Sequence, residues 1–185
     1  SYKRDNLSRD FLGKNTATRE FNIFVTAFYN QTKNWIQWQP TNFGYWSPSN
    51  VKQIENKGVE ASIEYFYLFN SNEVKIKGNY TFTHSRNKNF VSNSGELVDN
   101  TPIYIPAHKA NLYLAYWYKK FNVFYSQLYN AKVYIDASNT TYLPHYYPAN
   151  VGVVYNINIR KLRLELGVYA NNIFDEPYQV VVNRP

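Results

Sequence analysis

Apolar and polar residues alternate with a period of two through Val74–His84, V-K-I-K-G-N-Y-T-F-T-H. Successive side chains of a strand point to opposite faces. Val74, Ile76, Gly78, Tyr80 and Phe82 therefore share one greasy, aromatic face. Lys75, Lys77, Asn79, Thr81 and Thr83 share a cationic, polar one. The pattern recurs along the chain. Val59, Ala61, Ile63, Tyr65, Tyr67 and Phe69 are set against Glu60, Ser62 and Glu64. Leu112, Leu114, Tyr116 and Tyr118 are set against Asn111, Tyr113 and Ala115. Val151, Val153, Tyr155 and Ile157 share a face, and Leu162, Leu164, Leu166, Val168 and Ala170 oppose Arg163, Glu165, Gly167, Tyr169 and Asn171.

These runs predict seven strands. They lie at about Glu20–Thr32 (with an extension through Trp38), Val51–Phe69, Val74–His84, His108–Tyr118, Phe121–Ile135, Ala149–Asn158 and Leu162–Asn172. Short turns are expected at Asn70–Asn72, Lys119–Lys120 and Arg160–Lys161. Long loops, rich in Pro, Gly and Asn, are expected at Pro40–Asn50, Arg86–Pro106 and Asp136–Tyr147. Turns this short join antiparallel neighbours only. Strict alternation of short turns with long loops describes an up-and-down sheet with one plain end and one elaborate end. Barrels of the bacterial outer membrane are built that way. The expected fold is all-β: an antiparallel up-and-down transmembrane β-barrel segment.

Composition strengthens this reading. Aromatic residues make up 19% of the 185 residues, with 19 Tyr, yet the mean hydropathy is −0.54. Tyrosine has an apolar ring and a polar tip, which suits a lipid–water boundary better than a dry core. No window approaches the length of apolar sequence that a transmembrane helix needs. Cysteine is absent, which removes disulfides and thiolate metal sites from consideration. The net charge of +7 is spread over strands and turns without a basic run, so nucleic acid is not the expected partner. The chain opens at Ser1 and contains no methionine. About seven strands also fall short of a closed barrel. The expectation is a piece of a longer protein.

Four stretches carry a resemblance to a family. They are FYNQTKNWIQWQP (Phe28 to Pro40), NVKQIENKGVEASIEY (Asn50 to Tyr65), YIPAHKANLYLAYWY (Tyr104 to Tyr118) and LELGVYANNIFDEPYQVVVNRP (Leu164 to Pro185). The last holds the most specific motif, N-N-I-F-D-E-P-Y at Asn171 to Tyr178. In this order the stretches resemble the C-terminal barrel region of TonB-dependent outer-membrane receptors. The resemblance implies residues 1–185 of a C-terminal barrel portion, with the plug domain and final strand outside the chain. It implies a barrel of about 22 strands with a plugged lumen. It also implies uptake of a scarce large nutrient: a siderophore, cobalamin, haem or a glycan. The implied partners are TonB (through the plug and its TonB box), outer-membrane lipid, the nutrient, and in some relatives a surface lipoprotein. The stretch Asn34 to Asn50 is similar to receptors of the Bacteroidota, cobalamin-receptor-like members among them. A passive porin, a barrel-anchored adhesin and a soluble carbohydrate-binding β-module stand as alternatives.

Candidate chemistry is sparse. His84, His108 and His145 fall near the long-loop ends, but no pair has metal-ligand spacing. Asp175, Glu176 and Glu96 have no nucleophile motif or phosphate loop to work with. Neither a catalytic residue, a metal site nor a cofactor is assigned, and no enzyme is expected. Trp35, Trp38, Tyr45, Trp46, Tyr104, Tyr142, Tyr146 and Tyr147 cluster toward the long-loop end. They read either as a ligand-gripping rim or as an aromatic girdle. Trp38, Trp46, Tyr104 and Tyr142 are the ligand-binding candidates. Glu60, Glu64, Lys75, Lys77, Arg163 and Glu165 are expected to face the lumen.

Overall fold

The computed structural model describes residues 17–40, 43–88, 90–91, 97–98, 100–160 and 162–181. Eleven strands follow one another without a helix among these residues. They are β1 (Thr18–Pro40), β2 (Trp46–Phe69), β3 (Asn72–Lys88), β4 (Phe90–Val91), β5 (Leu97–Val98), β6 (His108–Tyr118), β7 (Phe121–Asn130), β8 (Val133–Tyr134), β9 (Tyr142–Leu143), β10 (Ala149–Ile159) and β11 (Leu162–Ala170). Seven of them form one sheet in the order β1-β2-β3-β6-β7-β10-β11. Every pairing in it is antiparallel between consecutive long strands, the up-and-down wall that the alternation predicts. Two miniature sheets, β4-β5 and β8-β9, sit within the long connections.

Register puts like with like. Ile23 faces Ile63, Ile63 faces Gly78, and Gly78 faces Leu112. Tyr116 faces Val123, Val123 faces Val153, and Val153 faces Val168. Cross-strand partners share a face, so the apolar residues of all seven strands form one continuous surface. A slip of one residue in any strand would place its polar set on that surface. The wall is a single layer, so few of its described apolar side chains are buried: Ile54, Ala115 and Ala149.

The three connections at one end are tight. Asn70, Lys119 and Arg160 each adopt left-handed backbone there, with φ of 53°, 54° and 54°. At the other end the strands end at unequal heights. β1, β2 and β3 contain 23, 24 and 17 residues; β6, β7, β10 and β11 contain 11, 10, 11 and 9. A barrel strand crosses a bilayer with about 9–11 residues, so β1 to β3 continue well past the membrane.

Three expected boundaries shift. Of the loop assigned to Pro40–Asn50, Pro40 belongs to β1 and Trp46–Asn50 to β2, because the two strands stay paired up to Pro40↔Trp46. Trp46 thus opens a strand instead of sitting in a loop. β3 runs on to Lys88, since β2 is long enough to pair with it as far as Gln53↔Lys88. The strand expected through Ile135 stops at Asn130, where the ladder to β6 ends. Asn130 exchanges both backbone hydrogen bonds with Tyr146, at 3.0 Å each. Beyond it the chain turns away and Val133–Tyr134 pair with Tyr142–Leu143.

Candidate functional site

The apolar face carries two aromatic belts. Near the tight turns lie Tyr67, Phe69, Tyr116, Tyr118, Phe121 and Tyr155. Toward the long loops lie Tyr29, Tyr80, Phe82 and Tyr129. Aliphatic residues fill the space between, including Ile23, Ile63, Leu112, Leu114, Val123, Val153 and Val168, several of them more than a third exposed. From Val74 to Phe82 the band spans about 27 Å along β3, or about 21 Å when tilted as barrel strands are. An apolar band of that height between aromatic girdles is a lipid-facing surface.

The opposite face is polar. Glu60, Glu64, Lys75, Lys77, Arg163 and Glu165 all lie on it by register. Among them the structure brings together Glu64 and Lys77, which form a salt bridge between directly opposed residues of β2 and β3. Glu20, Asn22, Phe66 and Lys75 line a small hollow around that pair. Arg163 and Glu165 stand on β11, four strands away from β3 in the sheet, and do not join this cluster.

At the long-loop end, two connections are welded together. Residues 100–107 take over the edge of β3 above the point where β6 ends: Thr83 N–H donates to the Ala107 carbonyl at 2.8 Å and Asn87 N–H to that of Asn100 at 2.7 Å. The same segment docks on the connection from β7 to β10. Thr101 N–H donates to Asn139 Oδ1 at 2.8 Å, and Asn139 Nδ2 returns a bond to the Thr101 carbonyl at 3.0 Å. Asn100 Nδ2 donates to the Ala137 carbonyl at 2.7 Å, and Tyr104 N–H to that of Tyr134 at 2.9 Å. Asp136 holds the second connection in shape. Its carboxylate accepts from the backbone N–H groups of Ser138, Thr140 and Thr141 and from the Thr140 hydroxyl. Burial pushes the Asp136 carboxyl up, but these hydrogen bonds outweigh it and hold it below the usual aspartate range. Burial raises the Tyr146 phenol, whose ring stacks on Tyr178 at 5.0 Å.

The four aromatic candidates take different places in this layer. Trp46 and Tyr104 come together, with ring centroids 6.3 Å apart. Tyr104 is held in left-handed backbone, φ 59°, and its buried hydroxyl has no hydrogen-bond partner among the described residues. Tyr142 lies on β9, with Lys132 Nζ 5.0 Å from its ring and 5.3 Å from that of Tyr134. Trp38 lies on β1 opposite Pro48, 59% exposed and one diagonal step across the ladder from Trp46. It is about 36 Å farther along β1 than Ala27, where the apolar band ends. Trp38 and Trp46 therefore stand clear of the girdle. Phe43 and Tyr45 stack at 6.3 Å on the hairpin between them.

The histidines lie apart. His84 and His108 sit on the apolar face by register. Tyr80 and His108 share a hydrogen bond at 2.8 Å, and Phe82 packs on the His108 ring at 5.1 Å. His145 lies between Tyr129 and Tyr147. Among the described residues, no three His, Asp or Glu side chains gather as a metal site would require. Asp175 is exposed, and the backbone of Glu176 serves the fold: its N–H donates to Asn172 Oδ1 and its carbonyl accepts from Asn172 Nδ2. The Asn171–Tyr178 motif is thus a structural turn clamped by Asn172. Glu96 lies outside the described residues.

The clasp residues Asn100, Asp136 and Asn139 and the inward polar row Asn56, Ser85 and Asn87 are absent from the sequence-based candidates. Ser85 and Asn87 are 4% and 2% exposed, and each has an oxygen without a partner among the described residues, as does Asn56. The run D-A-S-N-T-T at Asp136–Thr141 is a turn signature that marks the clasp. Nothing local marks the Asn56 row, because its burial comes from distant segments.

An antiparallel wall with a lipid-facing exterior, a polar interior, tight turns at one end and an ordered loop layer at the other defines a segment of an outer-membrane β-barrel. The family described as TonB dependent receptor-like, beta-barrel matches residues 12–173. The chain belongs to that family, whose members are outer-membrane receptors and transporters that work with TonB and nutrient ligands. A comparison with curated proteins finds no match.

Proposed function

We propose that this chain supplies wall, lumen lining and surface loops to a receptor that captures a scarce large nutrient and passes it inward by TonB-driven gating. The observation that carries the proposal is the aromatic layer above the membrane. Trp38, Phe43, Tyr45 and Trp46 project on a long hairpin, and Tyr104 meets Trp46 from a loop that is itself pinned to its neighbour. Aromatic rings in water, held on a rigid support, suit stacking on corrins, sugars or siderophore catechols. The polar inner face, with Glu60, Glu64, Lys75, Lys77, Arg163 and Glu165, then lines the lumen and faces the plug. Among the described residues, β1 and β11 each lack a strand partner on one side, and lipid cannot satisfy an open ladder. Further strands and the plug domain complete the barrel from outside residues 1–185.

The likeness of Asn34–Asn50 to receptors of the Bacteroidota puts corrinoids first among the cargoes to test, ahead of siderophores, haem and glycans. Some receptors of this kind work with a surface lipoprotein, and the exposed hairpin tip is its natural contact.

The test uses the full receptor in its own outer membrane. A strain lacking it is grown on limiting amounts of each nutrient in turn. The expected result is a growth defect on one nutrient, reproduced by removing TonB. Changing Trp46 and Trp38 together to Ala should raise the nutrient concentration needed by about ten-fold, the scale of one lost stacking contact. Growth that depends on the protein but not on TonB would establish a passive porin instead. Normal growth on every nutrient, with lost attachment to a surface, would establish an adhesin.

A further inference from the structure

The inner face of the wall divides by register into a charged half and a neutral one. On β2 and β3 it carries Glu60, Glu64, Glu73, Lys75 and Lys77. On β6, β7, β10 and β11 three successive cross-strand rows, beginning at Tyr113, Ala115 and Trp117 of β6, hold no charged residue. Three aromatic rings stand in this neutral half. Tyr113 of β6 stacks on Phe124 of β7 with ring centroids 6.2 Å apart, and Phe124 lies 5.9 Å from Tyr169 of β11. The planes of successive rings differ by 24° and 44°, so the three form a shallow staircase across the wall. The staircase is level with Val153, near the middle of the lipid-facing band, and so lies inside the barrel, well below the loop layer.

Small residues set the pose of the rings. A Cβ on Gly152 would collide with the rings of Phe124 and Tyr169, and one on Gly167 would lie 2.6 Å from the Tyr169 hydroxyl. The rings therefore lean over bare backbone. Gly152 is buried beneath them, whereas Tyr169 remains 60% exposed and turns its free side to the lumen. The polar groups beside the rings are neutral. Asn150 Nδ2 donates to Ser126 Oγ at 3.4 Å one row above, and Asn122 lies one row below. Charges at the border have both signs: Lys77, opposite Tyr113, already holds Glu64, and Lys75 and Glu73 follow it on β3.

We propose that Tyr113, Phe124 and Tyr169 form a stacking strip on the lumen wall that guides an uncharged carbohydrate through the barrel. Flat ring faces pack against the C–H faces of sugar rings, and three rings in a row offer platforms to successive sugar units. The neighbouring amides and hydroxyls both donate and accept hydrogen bonds, as sugar hydroxyls require. Charge decides between cargoes. A patch with no cation of its own gives an anionic chelate nothing to offset the cost of stripping water from its charge. The inference rests on the receptor reading and narrows its cargo: it moves neutral glycans ahead of the corrinoids that the Asn34–Asn50 likeness puts first.

The experiment follows radiolabelled neutral hexasaccharides of the glucan, mannan, xylan and galactan series in cells carrying the full receptor. It measures TonB-dependent uptake and, in energy-depleted cells, surface binding. The wild type should take up at least one series. Phe124→Leu/Tyr169→Leu keeps the glycines covered but removes the stacking faces. It should slow that uptake about ten-fold and leave surface binding unchanged. Unchanged uptake in this variant would overturn the proposal. So would entry of vancomycin at a normal sugar uptake rate, which would make the strip a seat for the plug. Wild-type cells that take up no neutral hexasaccharide, yet grow on a corrinoid or ferric chelate only with the receptor, would overturn the strip and leave the receptor reading standing. Absence of receptor-dependent uptake for every nutrient would overturn both. If Phe124→Leu/Tyr169→Leu fails to assemble, judged by heat-modifiable gel migration, Tyr113→Leu provides the same reading with a smaller loss.

Discussion

The two sides of the wall reach above the membrane by different constructions. On the β1–β3 side the ladder itself continues, with Pro40 still paired to Trp46 far beyond the apolar band. On the β6–β11 side the strands stop near the membrane, and the connections containing residues 100–107 and 131–148 supply the structure above it. The first side is held by backbone hydrogen bonds, which any side chain that tolerates a strand will keep. The second is held by a few side chains, chiefly Asp136, Asn139 and Asn100, each bonded to backbone of the connections. Redundancy protects the tall side, whereas the short side depends on individual residues.

The largest effect expected is at the more crowded glycine of the tall ladder. At Gly58 an added Cβ would run into the Phe82 carbonyl and the Phe28 ring. Gly58→Leu should cost more than about 4 kcal/mol and leave no assembled receptor, as read by heat-modifiable migration on gels. Next comes Val153, near the middle of the lipid-facing band on β10. Val153→Arg should cost about 2–4 kcal/mol at that depth, while an Arg at Asn156 on the opposite face should cost far less. Equal costs in a denaturant titration would contradict the assignment of the faces.

Asp136→Ala should cost about 2 kcal/mol, because three backbone N–H groups lose their acceptor. The loss should appear as faster hydrogen exchange and proteolysis in residues 136–141, with β1–β3 unchanged. Acid should act in the same way. The folded carboxyl titrates below its unfolded value, so its stabilisation is complete above the ordinary aspartate range near pH 4 and disappears as pH falls through the depressed value. Loosening on acidification should therefore be absent in Asp136→Ala. The smallest effect is on the tall side: Gln31→Ala should stay within about 0.5 kcal/mol. A larger change there would mean that side chains, and not the ladder, hold up β1–β3.

The seven strands were legible because a sheet between lipid and a polar interior imposes a period of two on every strand. Boundaries failed where that constraint ends. The pairing between Pro40 and Val51 was missed because both strands have left the membrane there, and their residues no longer need to alternate. The end of β7 was misplaced because Val133 and Tyr134 suit a strand, but their partner is β9. The candidate aromatics were legible as a cluster by composition. Only the structure shows that the rings of Trp46 and Tyr104 meet.

The sequence by itself determined the seven strands of the main sheet, their faces, the tight turns and the family. Each follows from local geometry or from motifs, and a strand's two faces are written into consecutive residues. Tertiary structure alone decided the height of β1–β3 and the docking of one long connection on another. Those depend on register between strands up to dozens of residues apart, and no local pattern encodes which distant backbone a side chain such as Asn139 will meet.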